Sequence, residues 1–420
     1  MLKQISFLCT AYLSLLSIAL CSDIDHVSYK FQYFDDNNDV NVITNTTAIS
    51  KGFLDEHLRV NLSYLVDGIT GASRNDDRGF LDTLDGITAA SETKERRHEV
   101  KGSLTFMFDW LRLFNKEKDT EDPMFITVTG INSQETDYTS RTISGAVSQD
   151  LFQRNTTFGL SYTKSFDKYD PAPRFETAVI DQPGYTYFGN GAEDRGRRET
   201  DRLTLSVTQG ITLTTLASVI GGYTFDRGYL ARPYYVYRIE TDTDTNFYHE
   251  HLPSERRSMT LTGQLRQYIP TEHGTSIHLD YRLYFDSWDL LSHTISLKGY
   301  YRFDERFIVS PSYRFYMQNS AFFYKDTYTE EDLPTYLTTD FKYRECMTHT
   351  MGLKLIYEVK DFFKPDDAPI LTLFPINIDI AANYMIRTGT NDAEIIHSHY
   401  NYWSDRYRNF WIQAGVTFAY

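Results

Sequence analysis

The chain closes on Asn409-Phe410-Trp411-Ile412-Gln413-Ala414-Gly415-Val416-Thr417-Phe418-Ala419-Tyr420. In an extended strand Phe410, Ile412, Ala414, Val416, Phe418 and Tyr420 fall on one side, and Trp411, Gln413, Gly415, Thr417 and Ala419 on the other. The period is two, so the stretch reads as a strand. The face that would meet solvent in a soluble protein is as apolar as a core. Either the strand is a buried edge of a soluble sandwich, or that face meets lipid.

Alternation of the same kind recurs along the chain. Leu58, Val60, Leu62, Tyr64 and Val66 alternate with Arg59, Asn61 and Ser63, and Ile277, Leu279, Tyr281, Leu283 and Phe285 with His278, Asp280, Arg282 and Tyr284. Between 376 and 387 the apolar set Ile376, Ile378, Ile380, Ala382, Tyr384 and Ile386 opposes Asn377, Asp379, Asn383 and Arg387. Segment lengths are near the roughly nine to eleven residues that carry a tilted strand across the hydrocarbon. Sixteen such segments are expected to begin near residues 26, 39, 57, 96, 124, 138, 155, 200, 213, 256, 274, 290, 306, 346, 375 and 409. An even count returns the chain to its starting side. The long polar stretches Gly68 to Glu95, Asp167 to Glu199, Asp226 to Glu255, Asn319 to Glu345 and Gly389 to Arg408 then share one end, opposite turns such as Asp304-Glu305-Arg306. The pattern predicts an all-β, antiparallel, up-and-down transmembrane β-barrel of about 16 strands, with short periplasmic turns and long extracellular loops. The carboxy-terminal strand resembles the closing strand of bacterial outer-membrane barrels. Its insertion signal would be Gln413, Gly415, Phe418 and Tyr420, read by the barrel-assembly machinery.

At the other end Lys3 precedes an apolar run from Ile5 to Leu20, and Ala19-Leu20-Cys21 leads into Ser22-Asp23. A charged start, an apolar middle and a small-residue cleavage site predict a signal peptide over 1–21 and a single barrel domain over 22–420. Lipidation of Cys21 is the rival, but Leu20 stands where a lipoprotein signal wants a small residue. Only Cys346 would remain after cleavage, which excludes an internal disulfide framework. Beyond the leader no run approaches the length of a membrane helix, and alternating strands cancel in any hydropathy average. The net charge of −15 argues against nucleic acid, whose phosphates demand a basic footprint. The 32 Tyr and 28 Phe suit the aromatic girdles of a barrel.

Several phrases resemble a family of bacterial outer-membrane-type barrels, domain of unknown function family 3570. They are Asp67-Gly68-Ile69-Thr70-Gly71-Ala72-Ser73, Glu135-Thr136-Asp137-Tyr138-Thr139-Ser140, Arg154-Asn155-Thr156-Thr157 and Asp226-Arg227-Gly228-Tyr229-Leu230-Ala231-Arg232-Pro233-Tyr234. Tyr281-Arg282 to Trp288, Ser292-His293-Thr294 and Tyr313 to Tyr324 follow in the family's order. The resemblance implies a barrel at the cell surface and brings no activity with it.

On the face expected to line the lumen the later strands are basic, with Arg266, Arg282, Lys298, Arg302, Arg306, Arg314, Lys354 and Arg387 against Asp280, Glu358 and Asp379. Either a ladder of cations guides an anionic solute, or the charges pair and fill a narrow interior. The heptad Asp67 to Ser73 recurs as Asp85-Gly86-Ile87-Thr88-Ala89-Ala90-Ser91, which reads as two similar turns or as a cation site on Asp67 and Asp85. Acidic runs at Asp35 to Asp39, Asn75 to Asp77 and Asp242 to Asn246 offer oxygen ligands for Ca2+, without the Gly and Glu of an EF-hand loop, or simple solvated acidity and divalent bridging to lipopolysaccharide. The pairs His249/His251 and His397/His399 could hold a transition metal if their loops meet. No local nucleophile motif, phosphate loop or His-Glu-x-x-His is present. The sequence therefore predicts an outer-membrane barrel surrounded by lipid and lipopolysaccharide that passes small solutes, in the porin-like manner. The alternatives are a closed surface barrel whose loops bind a partner protein or metal, and an outer-membrane enzyme.

Overall fold

The computed structural model describes residues 25–36, 40–70, 87–88, 95–108, 122–169, 185–188, 196–231, 235–240, 245–325, 328, 334–359, 376–388 and 406–419. The expected leader and Tyr420 lie outside them. In chain order the strands are β1 (His26–Asp36), β2 (Asn41–Phe53), β3 (Leu58–Thr70), β4 (Ile87–Thr88), β5 (Glu95–Phe108), β6 (Met124–Gln134) and β7 (Tyr138–Leu151). There follow β8 (Thr156–Tyr169), β9 (Tyr185–Phe188), β10 (Arg197–Thr212), β11 (Thr215–Gly228), β12 (Tyr235–Glu240), β13 (Thr245–His249) and β14 (Glu255–Ile269). The last are β15 (Thr275–Asp286), β16 (Leu291–Arg302), β17 (Phe307–Gln318), β18 (Cys346–Val359), β19 (Ile376–Thr388) and β20 (Arg406–Ala419).

Sixteen of these strands close into one barrel in the order β1-β2-β3-β5-β6-β7-β8-β10-β11-β14-β15-β16-β17-β18-β19-β20. The last strand zips onto the first in an unbroken antiparallel register from His26↔Ala419 to Asp36↔Asn409. Closure leaves no open edge, so backbone donors and acceptors are spent inside the wall. Barrel strands begin at most three residues from the starts read off the alternation, at Arg197 and Arg406. The sequence reading did not anticipate β4, β12, β13 and β9, which form a separate four-stranded sheet in that order from segments expected to be loops. β12 and β13 form a hairpin within one connection, but their pairing with β4 and β9 joins distant connections, and no local period announces it.

Register sorts every barrel strand into two faces. On β10 Leu203, Leu205, Val207 and Ile211 point outward and are exposed, and on β15 Ile277, Leu279, Tyr281 and Phe285 do the same. Exposed apolar side chains of this kind recur on barrel strands from Leu62 on β3 to Ile412 on β20. A water-soluble protein does not carry so continuous an apolar exterior. The connections at 54–57, 152–155, 213–214, 270–274 and 303–306 define a turn end, where the longer links 109–123 and 360–375 also fall, and the opposite, loop end carries the long connections 71–94, 170–196, 229–254, 319–345 and 389–405 beside three short ones. In two of the tight turns three successive non-glycine residues take left-handed backbone: Leu54, Asp55 and Glu56 (φ 55, 52 and 68°) and Phe152, Gln153 and Arg154 (φ 56, 61 and 61°). Each is closed by a backbone bond across the turn, His57 N to Leu54 O at 3.1 Å and Asn155 N to Phe152 O at 3.2 Å.

The apolar core of a barrel is displaced to wherever loops pack on one another, and here that is the loop end of β14–β18. Trp288, Leu290, Ala231, Leu252, Ala321 and Phe323 are buried together, with Tyr284 and Tyr343 against them. Trp288 packs edge-on to Phe323 and Tyr343, with centroids 5.2 and 5.6 Å away, and its Nε1 donates to Glu255 O at 3.1 Å. The node of this cap is Asp286, whose side chain is completely buried. It accepts from Arg256 Nε (2.8 Å) and Nη2 (2.6 Å), from the Tyr284 hydroxyl (2.6 Å) and from the Trp288 and Leu290 amides (2.9 and 3.1 Å). Arg256 also lies 4.4 Å from the Trp288 ring centroid. A second node joins two loops: Thr338 Oγ1 donates to buried Glu250 at 2.7 Å, and the Tyr328 hydroxyl donates to Phe323 O at 2.7 Å. Burial pushes the Tyr328 pKa up, so its hydroxyl stays a donor.

Because Asp286 is a fully buried charge and its removal leaves the largely buried Arg256 guanidinium without its ion-pair partner, Asp286→Ala is expected to cost the cap about 3 kcal/mol or more. The loss should show as protease cleavage between 229 and 254 and as red-shifted tryptophan emission, with strand content unchanged by circular dichroism; unaltered protease resistance would count against the node. At the seam, a Cβ on Gly415 would come within 2.6 Å of Asp379 Oδ1. Asp379 is held there by Lys354 Nζ at 3.0 Å, so the carboxylate is not free to yield. Gly415→Val is therefore expected to cost roughly 1–3 kcal/mol in equilibrium unfolding of barrel refolded in vitro, where the insertion machinery plays no part; wild-type stability would show that the glycine serves something other than packing.

Candidate functional site

The face opposite the apolar exterior lines the lumen, and its chemistry differs around the wall. On β14–β18 it carries Arg266, Asp280, Arg282, Lys298, Arg302, Arg314, Lys354 and Glu358. Each acid expected on these strands takes one cation. Arg266 Nη1 lies 2.5 Å from Asp280, Arg302 Nη1 2.9 Å from Glu358 and Lys354 Nζ 3.0 Å from Asp379 of β19. Arg302 is bidentate, with Nη2 donating to the other Glu358 oxygen at 3.1 Å. The pairing reading of the sequence thus accounts for these three cations.

Arg282, Lys298 and Arg314 make no ion pair among the described residues, and all three are exposed although they point into the barrel. They occupy neighbouring strands and three successive rows of the register, Arg282↔Thr294, Ser296↔Arg314 and His278↔Lys298. Arg314 lies 5.9 Å from the centroid of Tyr316, which orients its planar group along the wall. Arg387 lies on β19 opposite Thr348. Arg306 is not on a strand: it belongs to the turn before β17, where the Asp304 carboxylate accepts from the Arg306 and Phe307 amides, both at 2.7 Å. That side-chain-made turn starts β17 at Phe307, one residue after the expected start, and leaves Arg306 in the turn.

From β5 to β11 the lumen face is rich in hydroxyls bonded in cross-strand pairs. Examples are Thr105 with Thr127 (3.0 Å), Thr142 with Ser165 (2.7 Å), Ser144 with Thr163 (2.9 Å) and Thr208 with Ser218 (2.8 Å). Toward the loop end two buried carboxylates are met by half-buried arginines, Arg97 with Asp67 at 2.6 Å and Arg198 with Asp167 at 2.5 Å. Sequence reasoning did not single out these pairs, because Asp67, Asp167 and Glu199 were read as the borders of loops. The strands in fact run on through Thr70 and Tyr169. Their inward positions fall on the same period-two count, which was the available signal. A cavity of about 260 Å3 opens between β1, β2, β3 and β5, with Asn61, Ser63 and Lys101 among its walls.

The remaining candidates are placed as follows. Gln413 and Gly415 face inward on β20 and Phe418 outward, with Tyr420 outside the described residues. His249 ends β13; His251 pairs in a bridge with Leu337, and its Nδ1 sits 2.5 Å from Thr335 O, so this ring is engaged by the neighbouring loop. His397 and His399 lie outside the described residues, as do Asp85, the run 75–77 and residues 242–244. Asp67 is committed to Arg97. Asp36 caps the β1–β2 hairpin by accepting from the Val40 amide at 3.0 Å. Among the described residues no group of three or more His, Cys, Asp or Glu side chains converges as a metal site would.

Solved structures with a similar fold include a bacterial polysaccharide outer membrane secretin, at 7% identity over 95% of this chain and 99% of that one, with a TM-score of 0.46. A BenF-like porin from Pseudomonas fluorescens Pf-5 is similar at 8% identity over 96% and 100% of the two chains, with a TM-score of 0.41. OccK2 (OpdF) of Pseudomonas aeruginosa, solved in complex with glucuronate, is similar at 9% identity over 94% and 98%, with a TM-score of 0.41. No curated protein matches the chain. The model of the family described as "Protein of unknown function (DUF3570)" matches residues 8–365, and the chain, an antiparallel barrel of sixteen strands as that resemblance led one to expect, belongs to this family.

Proposed function

We propose that the protein is an outer-membrane barrel, with its loop end outside the cell, that passes small anionic solutes through a water-filled lumen. The observation that carries this reading is the exposure of Arg282, Lys298 and Arg314 on a concave inner face. In an interior packed solid these side chains would be buried and would each need a partner. Solvent at that level, with a local excess of positive charge, is what an anion-attracting passage requires. Sixteen strands make a cylinder of the class that can leave an aqueous channel. Insertion would use Gln413, Gly415, Phe418 and Tyr420, and the surroundings would be membrane lipid and lipopolysaccharide.

The cap around Trp288 favours a second reading, a surface barrel closed at its mouth whose ordered loops engage a partner. Chemistry separates the two. In planar bilayers the wild-type barrel is expected to conduct with anion preference, and Arg282→Gln/Lys298→Gln/Arg314→Gln to lose that preference while still conducting. Neutralising Arg302 instead would strand Glu358, so that variant should lose stability rather than selectivity alone. A silent wild type alongside a conducting Asp286→Ala variant would reject open passage and establish the cap as a closure.

A further inference from the structure

On β15–β17 the outward face stays apolar to the loop end; elsewhere polar residues enter it there, such as Arg96 and His98 on β5, and from β7 to β14 charge runs across five neighbouring strands. One outward row, Gly145, Tyr162, Leu203, Tyr223, Met259 and Phe285, follows the register from β7 to β15 and is free of charge. The next row toward the loops is Ile143, Lys164, Asp201, Phe225 and Arg257, and the one beyond it Arg141, Phe166, Glu199, Arg227 and Glu255. Charge therefore begins within one step of the register on the side of the wall that faces away from the lumen. At the same end of β15–β17 the outward residues are Phe285, Leu291 and Met317.

Lys164, Glu199, Asp201 and Arg227 form one network, and Arg257 pairs with Glu255 at 3.3 Å beside it. Lys164 Nζ sits 3.1 Å from both Glu199 and Asp201, Arg227 Nη2 2.6 Å from Glu199, and the Tyr162 hydroxyl donates to Asp201 at 2.5 Å. The cations are backed by rings, Lys164 5.3 Å from the Phe166 centroid, and Arg257 and Arg227 5.4 and 5.9 Å from Phe225. Across the two rows Arg141, Lys164, Arg227 and Arg257 outnumber Glu199, Asp201 and Glu255. One row farther out, Lys168 and Arg197 add to the excess. A positive excess on the exterior of a chain with net charge −15 is a local feature. Arg257 and Glu255 line a cavity of about 280 Å3 with Trp288, Phe322 and Tyr336.

Charged side chains on a lipid-facing wall are costly at the bilayer centre and tolerated at its interface. Two residues along a strand tilted by about 45° climb roughly 5 Å, and the polar layer on each side of the hydrocarbon is about 5–8 Å thick. The two charged rows thus fall where lipid head groups lie, and cations there meet phosphate rather than bulk water. We propose that the outer face of β7–β14 is a binding site for the phosphorylated head group of an outer-leaflet glycolipid. One phosphate is held toward β7 and β8 by Arg141 and Lys164 and a second toward β11 and β14 by Arg227 and Arg257, and a sugar ring stands against Phe322 and Tyr336 at the cavity. The assignment of leaflet rests on the loop end lying outside the cell; the cation-and-ring geometry does not.

The test uses the full-length mature barrel in detergent, titrated with a bisphosphorylated glycolipid and with the same lipid after phosphatase treatment, read by native mass spectrometry of retained lipid. Wild-type barrel is expected to bind the phosphorylated form at least about tenfold more tightly. Arg141→Gln/Arg257→Gln should lose about tenfold for that form and nothing for the dephosphorylated one, whereas Arg141→Lys/Arg257→Lys should retain binding. Equal affinity of wild type for the two lipids, which needs no variant to observe, would overturn the site, as would undiminished binding by a folded Gln variant. A barrel that conducts but ignores lipid phosphate sinks this site alone, and one that binds the phosphate but never conducts sinks only solute passage.

Discussion

The pairing of β20 with β1 is the interaction on which everything else depends. A sheet of sixteen strands joined by fifteen pairings, with two free edges, would expose two rows of unmatched amides and carbonyls, and in hydrocarbon each unmatched group costs several kcal/mol. The register from His26↔Ala419 to Asp36↔Asn409 removes both edges at once. It also fixes which way every other residue points, because a slip of one residue would turn the apolar row inward and send Trp411 and Gln413 into lipid. The chain's two ends are thereby made to carry the fold, one in its first described strand and one in its last.

Inside that constraint the wall works as two surfaces made by one alternating code, and this is why so much of the architecture was legible. Strand starts at Met124, Tyr138 and Cys346 coincide with the positions read from the sequence, because periodicity is local and membrane thickness sets the length. The lumen cations were legible for the same reason. What escaped was non-local. Nothing near Asp286 foretells that Arg256, thirty residues earlier, will reach it, or that Trp288 will find Phe323 in another loop. The sheet joining β4, β12, β13 and β9 draws on three separate connections. The strands also overran their expected limits at Thr70 and Tyr169, because Asp67 and Asp167 read as loop residues until Arg97 and Arg198 were seen to neutralise them.

Polar side chains in this molecule thus have three settings. At the inner rim carboxylates are buried and matched, as in Arg198–Asp167; Arg282, Lys298 and Arg314 on β15–β17 are exposed and make no ion pair among the described residues; on the exterior of β7–β14 charges are matched in part and backed by aromatic rings. A single residue type serves all three. Its energetic meaning is set by what lies across the wall from it, which a composition or a net charge cannot convey.

The order of strands in the closed ring places β5 eight positions from β16, directly across the barrel. The β5 lumen face carries Glu95 and Glu99 along with Arg97 and Lys101, while β15, β16 and β17 present Arg282, Lys298 and Arg314. Fixed charge is therefore unequal on the two sides of the interior, which gives the electric field there a component perpendicular to the barrel axis. Under the proposed passage, a dipolar solute is turned in this field with its negative pole toward β16, and selection acts on how its charge is distributed along its length as well as on its size.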